Sequence, residues 1–166
     1  LEERIGRMEA RQAEIDAELC DASVLCDSSR VQALMVERGA IAADLAYNDL
    51  KKTKAAILYN VGSDYAHGLR EFFTENFKRL GGTIVADEGF RGEDVDYRAQ
   101  LTTIKASGAE FLFLPGMGKD MALAIKQARE LGFDGTIVGG DGFSDIMFEI
   151  AGDAMKGTYW INHTYM

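Results

Sequence analysis

Three short stretches of this 166-residue sequence hold most of the side chains that could do chemistry. In "GGDGFSD" (139–145) a carboxylate, Asp141, stands among three glycines directly after the apolar run "GTIV". An acid placed there is a turn former, a cap for a helix beginning near Ser144, or a functional group, and the residues alone leave the three open. "YNVGSDY" (59–65) offers Asn60, Ser63 and Tyr65, and "LPGMGKD" (114–120) offers Met117 and Gly118. A phosphate cradle would need several glycines with Lys and Ser/Thr, or G-x-G-x-x-G, after the first strand, and "NVGSD" has one glycine and an acid. A hydrolase would need a nucleophile within reach of a base. His67 lies one turn into a helix and His163 near the chain end, neither with a matching nucleophile elbow, so both read as surface or packing residues. Cys20 and Cys26, flanked by Asp with no histidine nearby, make a poor zinc site and read as two thiols in a helical turn. No catalytic residue, metal or cofactor is expected.

The elements that must position these residues alternate from Lys54 onward. "KAAILYN", "GTIVADEGF", "EFLFLPG", "GTIVGGDG" and "GTYWINHTY" predict strands, separated by helices over "DYAHGLREFFTENFKRLG", "DYRAQLTTIKASG", "KDMALAIKQARELG" and "SDIMFEIAG". Glycines at 81, 108, 132 and 152 are expected to stop the helices. Five strands with helical crossovers imply a parallel, doubly wound α/β sheet, and continuously apolar "AAILY" and "FLFL" suit strands covered on both faces. Ligands bind such sheets beyond the strands' carboxyl ends, which gathers the three loops, and Asp141, on one edge.

Before residue 47 the pattern is different. Leu1, Ile5, Met8, Ile15 and Leu19 follow a heptad seam with Gln12 in the missing step, and a second seam runs Val31, Leu34, Arg38, Ile41, Leu45. Folded as an antiparallel coiled-coil hairpin (1–46), the pairs 19/31, 12/38 and 5/45 come level, and Gln12 and Arg38 share a register-fixing layer. The alternative has both side chains snorkelling outward. Ser28 or Ser29 is expected to cap the second helix, which should run unbroken through "AYNDLKK" into the lobe formed by 47–166 and project the hairpin rigidly from it.

A net charge of −9 disfavours a nucleic-acid partner, which is held by Lys and Arg on phosphates. No apolar run reaches the roughly 18 to 20 residues of a membrane span, and the charged start "LEERIGRMEA" lacks a signal peptide's apolar core. Beginning at Leu1, the chain reads as a trimmed or processed piece. A response-regulator receiver is another five-stranded candidate, but that family has an aspartate ending a core strand, acidic neighbours after the first strand and a lysine after the last, whereas here the first strand ends in Tyr59 and Asn60 and the last in "INHTY".

From about residue 40 to 166, "AYNDLKKTKAAILYN", "SDYAHGL", "DYRAQLTTIKASGAEFLFLPG", "IKQARELG", "GGDGFSD" and "IAGDAMKGTYW" resemble the C-terminal lobe of type I periplasmic binding proteins of the branched-chain amino acid class. The resemblance implies a flavodoxin-like strand order, 2-1-3-4-5, and a non-catalytic lobe that closes with a second lobe over an amino acid. It places the acid that receives the ligand's α-amino group at Asp141 and an aromatic lining residue at Tyr65, in a half-site with Asn60, Ser63, Met117 and Gly118. A buried ammonium needs such a charged partner. The family's tyrosine pair is replaced by Met117 and Gly118, which removes a wall of the pocket.

"LCDASVLCDSSRVQALMVERGAIAADLA" resembles the C-terminal coiled-coil hairpin of ABC-F ATPases. The two resemblances meet inside one helix and imply different compartments, periplasm for the lobe and cytoplasm for the hairpin. An engineered chimera is therefore expected, a scaffold made in the cytoplasm without a signal peptide; a natural helical insertion is the rival. A half-site open to water should bind a branched-chain or other small amino acid at millimolar strength or not at all. The open edge, with Tyr65, Met117 and Phe143, and the hairpin seam are two routes to a homodimer. The alternatives are a helical-hairpin interaction module on an α/β platform and a small flavodoxin-like enzyme.

Overall fold

The structure is a computed structural model that describes residues 2–25, 27–116, 118–140 and 144–161. Cys26, Met117, Asp141, Phe143 and His163 lie outside the described residues, as do Leu1 and the side chains of Ile5, Met8, Gln12 and Leu19 from the first seam.

Helices α1 (Glu2–Leu19) and α3 (Ser28–Asp44) are joined through a single helical turn, α2 (Ala22–Leu25). Ile15 and Leu34 are fully buried, and Arg38 is only 2% exposed, so its guanidinium does not reach outward. Two ion pairs cross between the helices one heptad apart: Arg30 to Glu18, with Nε donating at 2.8 Å, and Arg11 to Glu37, with Nε and Nη2 donating at 2.5 and 2.8 Å. Both pairs link α1 to α3, which run antiparallel across the hairpin. The cap of α3 differs from expectation. Asp27, in an extended conformation, accepts from the N–H groups of Ser29 and Arg30 at 3.0 and 3.2 Å. A carboxylate one residue earlier reaches two orphan donors, and Ser29 is left to donate its hydroxyl to that same carboxylate. The bonds from Ser29 and Arg30 hold the Asp27 carboxyl below its ordinary range.

The helix does not run through Lys52 as the sequence suggests. It passes into a π turn (Leu45–Asp49), and Lys51, with φ at 55°, breaks it. A non-glycine residue there costs about 1 to 2 kcal/mol, which packing must offset.

The lobe follows as β1 (Lys54–Asn60), α4 (Asp64–Arg79), β2 (Thr83–Phe90), α5 (Arg98–Ala106), β3 (Phe111–Leu114), α6 (Gly118–Glu130), β4 (Thr136–Gly139), α7 (Ile146–Ala151) and β5 (Thr158–Trp160). All pairings are parallel, in the order β2-β1-β3-β4-β5. This is the flavodoxin-like 2-1-3-4-5 arrangement, in which the strand order reverses between β1 and β3. Gly81, Gly108, Gly132 and Gly152 follow their helices with φ of 102°, 74°, 75° and 51°.

Alternation along the strands divides the core. Ala55, Ile57, Phe111 and Phe113 face one way and pack with Phe73 and Phe77 of α4; Ala56, Leu58, Leu112 and Leu114 face the other, toward α5 and α6. Phe73 stacks on Phe113 at 4.5 Å and on Phe77 at 5.3 Å between ring centroids. The C-terminal half of α3 belongs to this same layer, with Ala42, Ala43 and Ala46 fully buried in it. Its approach to α4 is made possible by Gly39: a Cβ there would stand 2.6 Å from Phe72 Cβ and 2.9 Å from Phe73 N.

Candidate ligand crevice at the carboxyl edge

The strand order reverses between β1 and β3, the point past whose carboxyl ends ligands sit in such sheets, and three loops leave the strands there. The first leaves β1 at Asn60, whose Oδ1 accepts from Gly62 N at 2.9 Å in an Asx turn. Ser63, in an extended conformation, caps α4 by accepting from Ala66 N at 3.2 Å. Together these bonds fix the entry of α4 and with it Tyr65, in that helix's first turn. The roles expected of Asn60 and Ser63 are therefore accompanied by local ones, since each spends a side-chain oxygen on its own loop. His67 packs edge-on against Tyr59 at 5.0 Å and its Nε2 lies 3.0 Å from Val61 O, a packing residue as the sequence suggests.

The second loop leaves β3 through Pro115 and Gly116, and the third leaves β4 through Gly139 and Gly140. Gly140 N donates to Leu114 O at 3.1 Å, which holds the two loops together. A Cβ built on Gly140 would stand 3.3 Å from Tyr65 Oη, 3.7 Å from Gly116 N and 3.7 Å from Leu69 Cδ1. Only a small residue leaves the tyrosine hydroxyl that close to the backbone preceding Asp141. The described parts of all three predicted loops thus meet at one point. Gly118 opens α6 with φ at 29°, beside this point in sequence. The N-cap position of α7 belongs to Asp145, whose side chain makes no capping bond, so Asp141 precedes the helix by more than a cap would.

One acid at this edge escaped the sequence reading. Asp120, in the first turn of α6, is half-buried with Leu58, Phe90, Leu114 and Met121 around it. Burial raises its carboxyl pKa, and the neighbouring Lys119 charge offsets part of the rise. The Lys-Asp pair in "GKD" carried a weak signal, because a helix's first turn favours an acid whatever its surroundings. Trp160 was also passed over. Its indole lies over Gly139, where a Cβ would be 2.0 Å from Cζ3. Among the described residues no helix is long and apolar enough to cross a membrane.

The same fold recurs in solved proteins. A leucine-binding protein, LivK, from Thermotoga maritima superposes with a TM-score of 0.73 at 34% identity, over 75% of this chain and 36% of that one. LivJ from Streptococcus pneumoniae, a branched-chain amino acid transporter substrate-binding protein in complex with isoleucine, superposes with a TM-score of 0.69 at 33% identity, over 74% and 35%. Among curated relatives, Leu/Ile/Val-binding protein homolog 3 of Brucella melitensis is 27% identical over 127 residues, 76% of this chain and 34% of its own length. The chain spans about a third of the length of these relatives. A sequence profile described as periplasmic binding protein matches residues 35–166. With that match over most of its length and a lobe of the same topology, the chain belongs to the periplasmic binding protein family.

Proposed function

We propose that residues 47–166 form one lobe of a non-catalytic, periplasmic amino-acid-binding protein of the branched-chain class, joined to a helical hairpin over 1–46. The observation that carries this reading is the meeting of Tyr65 Oη and Gly116 N, 3.3 and 3.7 Å from where a Cβ of Gly140 would stand, at the residue that precedes Asp141 in sequence. Asp141 takes the ligand's ammonium, Tyr65 lines the apolar side chain, and Asn60, Ser63, Met117 and Gly118 complete the half-site. The ligand class comes from the relatives that the chain resembles in sequence and structure. With one wall present, the ion pair at Asp141 is screened by water, and binding is millimolar or weaker.

The hairpin is a separate matter. The family profile begins at residue 35, inside α3 rather than at its end, and the helix crosses from hairpin to lobe without a linker. This supports a chimeric scaffold in which an ABC-F-like hairpin was merged with the lobe through a shared helix, with Gln12 and Arg38 in one register layer. A native reading frame containing both parts would refute the merger.

The test of the ligand site is an NMR titration of labelled protein with leucine, isoleucine and valine. Amides of Tyr65, Gly116 and Gly140 should shift together, and Asp141→Asn should abolish the shifts. If these amides stay still at high millimolar ligand, the crevice is not a working half-site. Sedimentation of the same sample reads whether a second copy covers the open edge.

A further inference from the structure

At the opposite, amino-terminal edge of the sheet lies an opening of about 330 Å³ that the amino-acid reading does not use. Its walls include Arg129 at the end of α6, Asp134 and Gly135 before β4, Lys156 and Gly157 before β5, and Tyr159 within β5. Arg129 is half-buried, and its Nη1 donates to Phe133 O at 2.6 Å and Gly135 O at 2.8 Å. Two neutral carbonyls tether the guanidinium without neutralising it. Its Nη2 lies toward Gly157, where a Cβ would be 4.0 Å away. Lys156 stands on the same rim, 79% exposed, with Asp153 at 2.8 Å on the solvent side. Burial lowers the Arg129 pKa and Asp134 only partly compensates, so the guanidinium is short of negative charge.

We propose that this opening binds a small monocarboxylate with an apolar or aromatic body, its carboxylate held by Arg129 and Lys156 and its body against the half-exposed ring of Tyr159. A guanidinium edge matches a carboxylate in shape and hydrogen-bond geometry. Asp134 and Asp153 keep the local charge close to balanced, which suits a monoanion and works against a dianion such as phosphate. Gly135 keeps the wall thin, because a Cβ there would stand 2.5 Å from Phe133 Cζ and 2.9 Å from Glu110 O.

The site is tested by NMR titration of the whole chain with phenylacetate, phenylacetamide and inorganic phosphate. Phenylacetate should shift the amides of Gly135, Thr136, Gly157 and Tyr159 saturably, and the neutral amide and phosphate should not. Both informative variants lie at the surface: Lys156→Gln should weaken phenylacetate about fivefold and Asp134→Asn should tighten it about threefold. Equal shifts with phenylacetamide, stronger binding of phosphate, no saturation, or shifts at Gly116 and Gly140 instead would each overturn the proposal. The last outcome leaves the amino-acid crevice intact as a reading, so the two sites fail separately.

Discussion

Trp160 lies across Gly139 so closely that no other residue fits beneath it: a Cβ would be 2.0 Å from Cζ3 and 2.3 Å from Cε3. The two face each other in the β4–β5 register, one residue from the Gly140 that meets Tyr65. Gly139→Ala must displace the indole or part the strands, at a cost of about 2 kcal/mol. Because this is the sequence's single tryptophan, its fluorescence reports directly on the carboxyl edge. Denaturant unfolding followed at that signal should show a lower midpoint and a shifted native emission; an unchanged spectrum would refute the contact.

Gly39→Ala sets two effects against each other. In an isolated helix alanine gains about 1 kcal/mol over glycine. Here its Cβ would strike Phe72 Cβ and Phe73 N, and the latter is backbone that cannot rotate away. Overpacking of about 1 to 3 kcal/mol wins, so the variant should be less stable in thermal unfolding. A stabilised variant would mean that α3 and α4 are further apart than described.

Gln127 is 6% exposed and bridges a loop to α6, accepting from Tyr97 N at 2.7 Å and donating to Val95 O at 2.8 Å. Gln127→Met keeps the volume but strands both backbone groups. The expected loss is about 2 kcal/mol, with faster hydrogen exchange at Tyr97 than elsewhere in the lobe.

Tyr97 is fully buried and donates to Asp94 O at 2.7 Å. Burial, followed by the charges of Asp120 and Asp94, pushes its pKa from 10.0 up to about 12. The raised value means that the folded state keeps its proton while the unfolded chain loses it. The stability linked to this proton is complete below pH 10 and falls away as pH rises toward about 12. Urea midpoints taken across that window should decline more steeply for the parent than for Tyr97→Phe; parallel slopes would contradict the assignment.

These residues also show what a sequence can and cannot display. Strands such as "FLFL" were legible because burial on both faces demands an unbroken apolar run, and the glycine stops because each left-handed turn selects that residue. The meeting of three loops followed from strand direction alone. The Asp27 cap was missed because serines and an aspartate stood side by side, all competent caps, and only backbone conformation chose among them. The helix end at Lys51 carries no glycine or proline, the residues that ordinarily mark such a stop in sequence. Gln127 sat in an amphipathic helix where a polar residue reads as solvent-facing. Close contacts such as Gly39 on Phe72 depend on helix crossing, which one-dimensional periodicity does not encode.

Helix α3 is thus a lever with its bearing at Gly39. One arm carries the cross-helix ion pairs of the hairpin, and the other lies with Ala42, Ala43 and Ala46 on α4, whose first turn bears Tyr65. Gly39 meets Phe72 and Phe73 while Tyr47, two turns on, meets Phe77 and the Gly81 that follows α4, so α3 and α4 run the same way and the hairpin leaves the lobe on the side of α4's first turn, where Tyr65 stands.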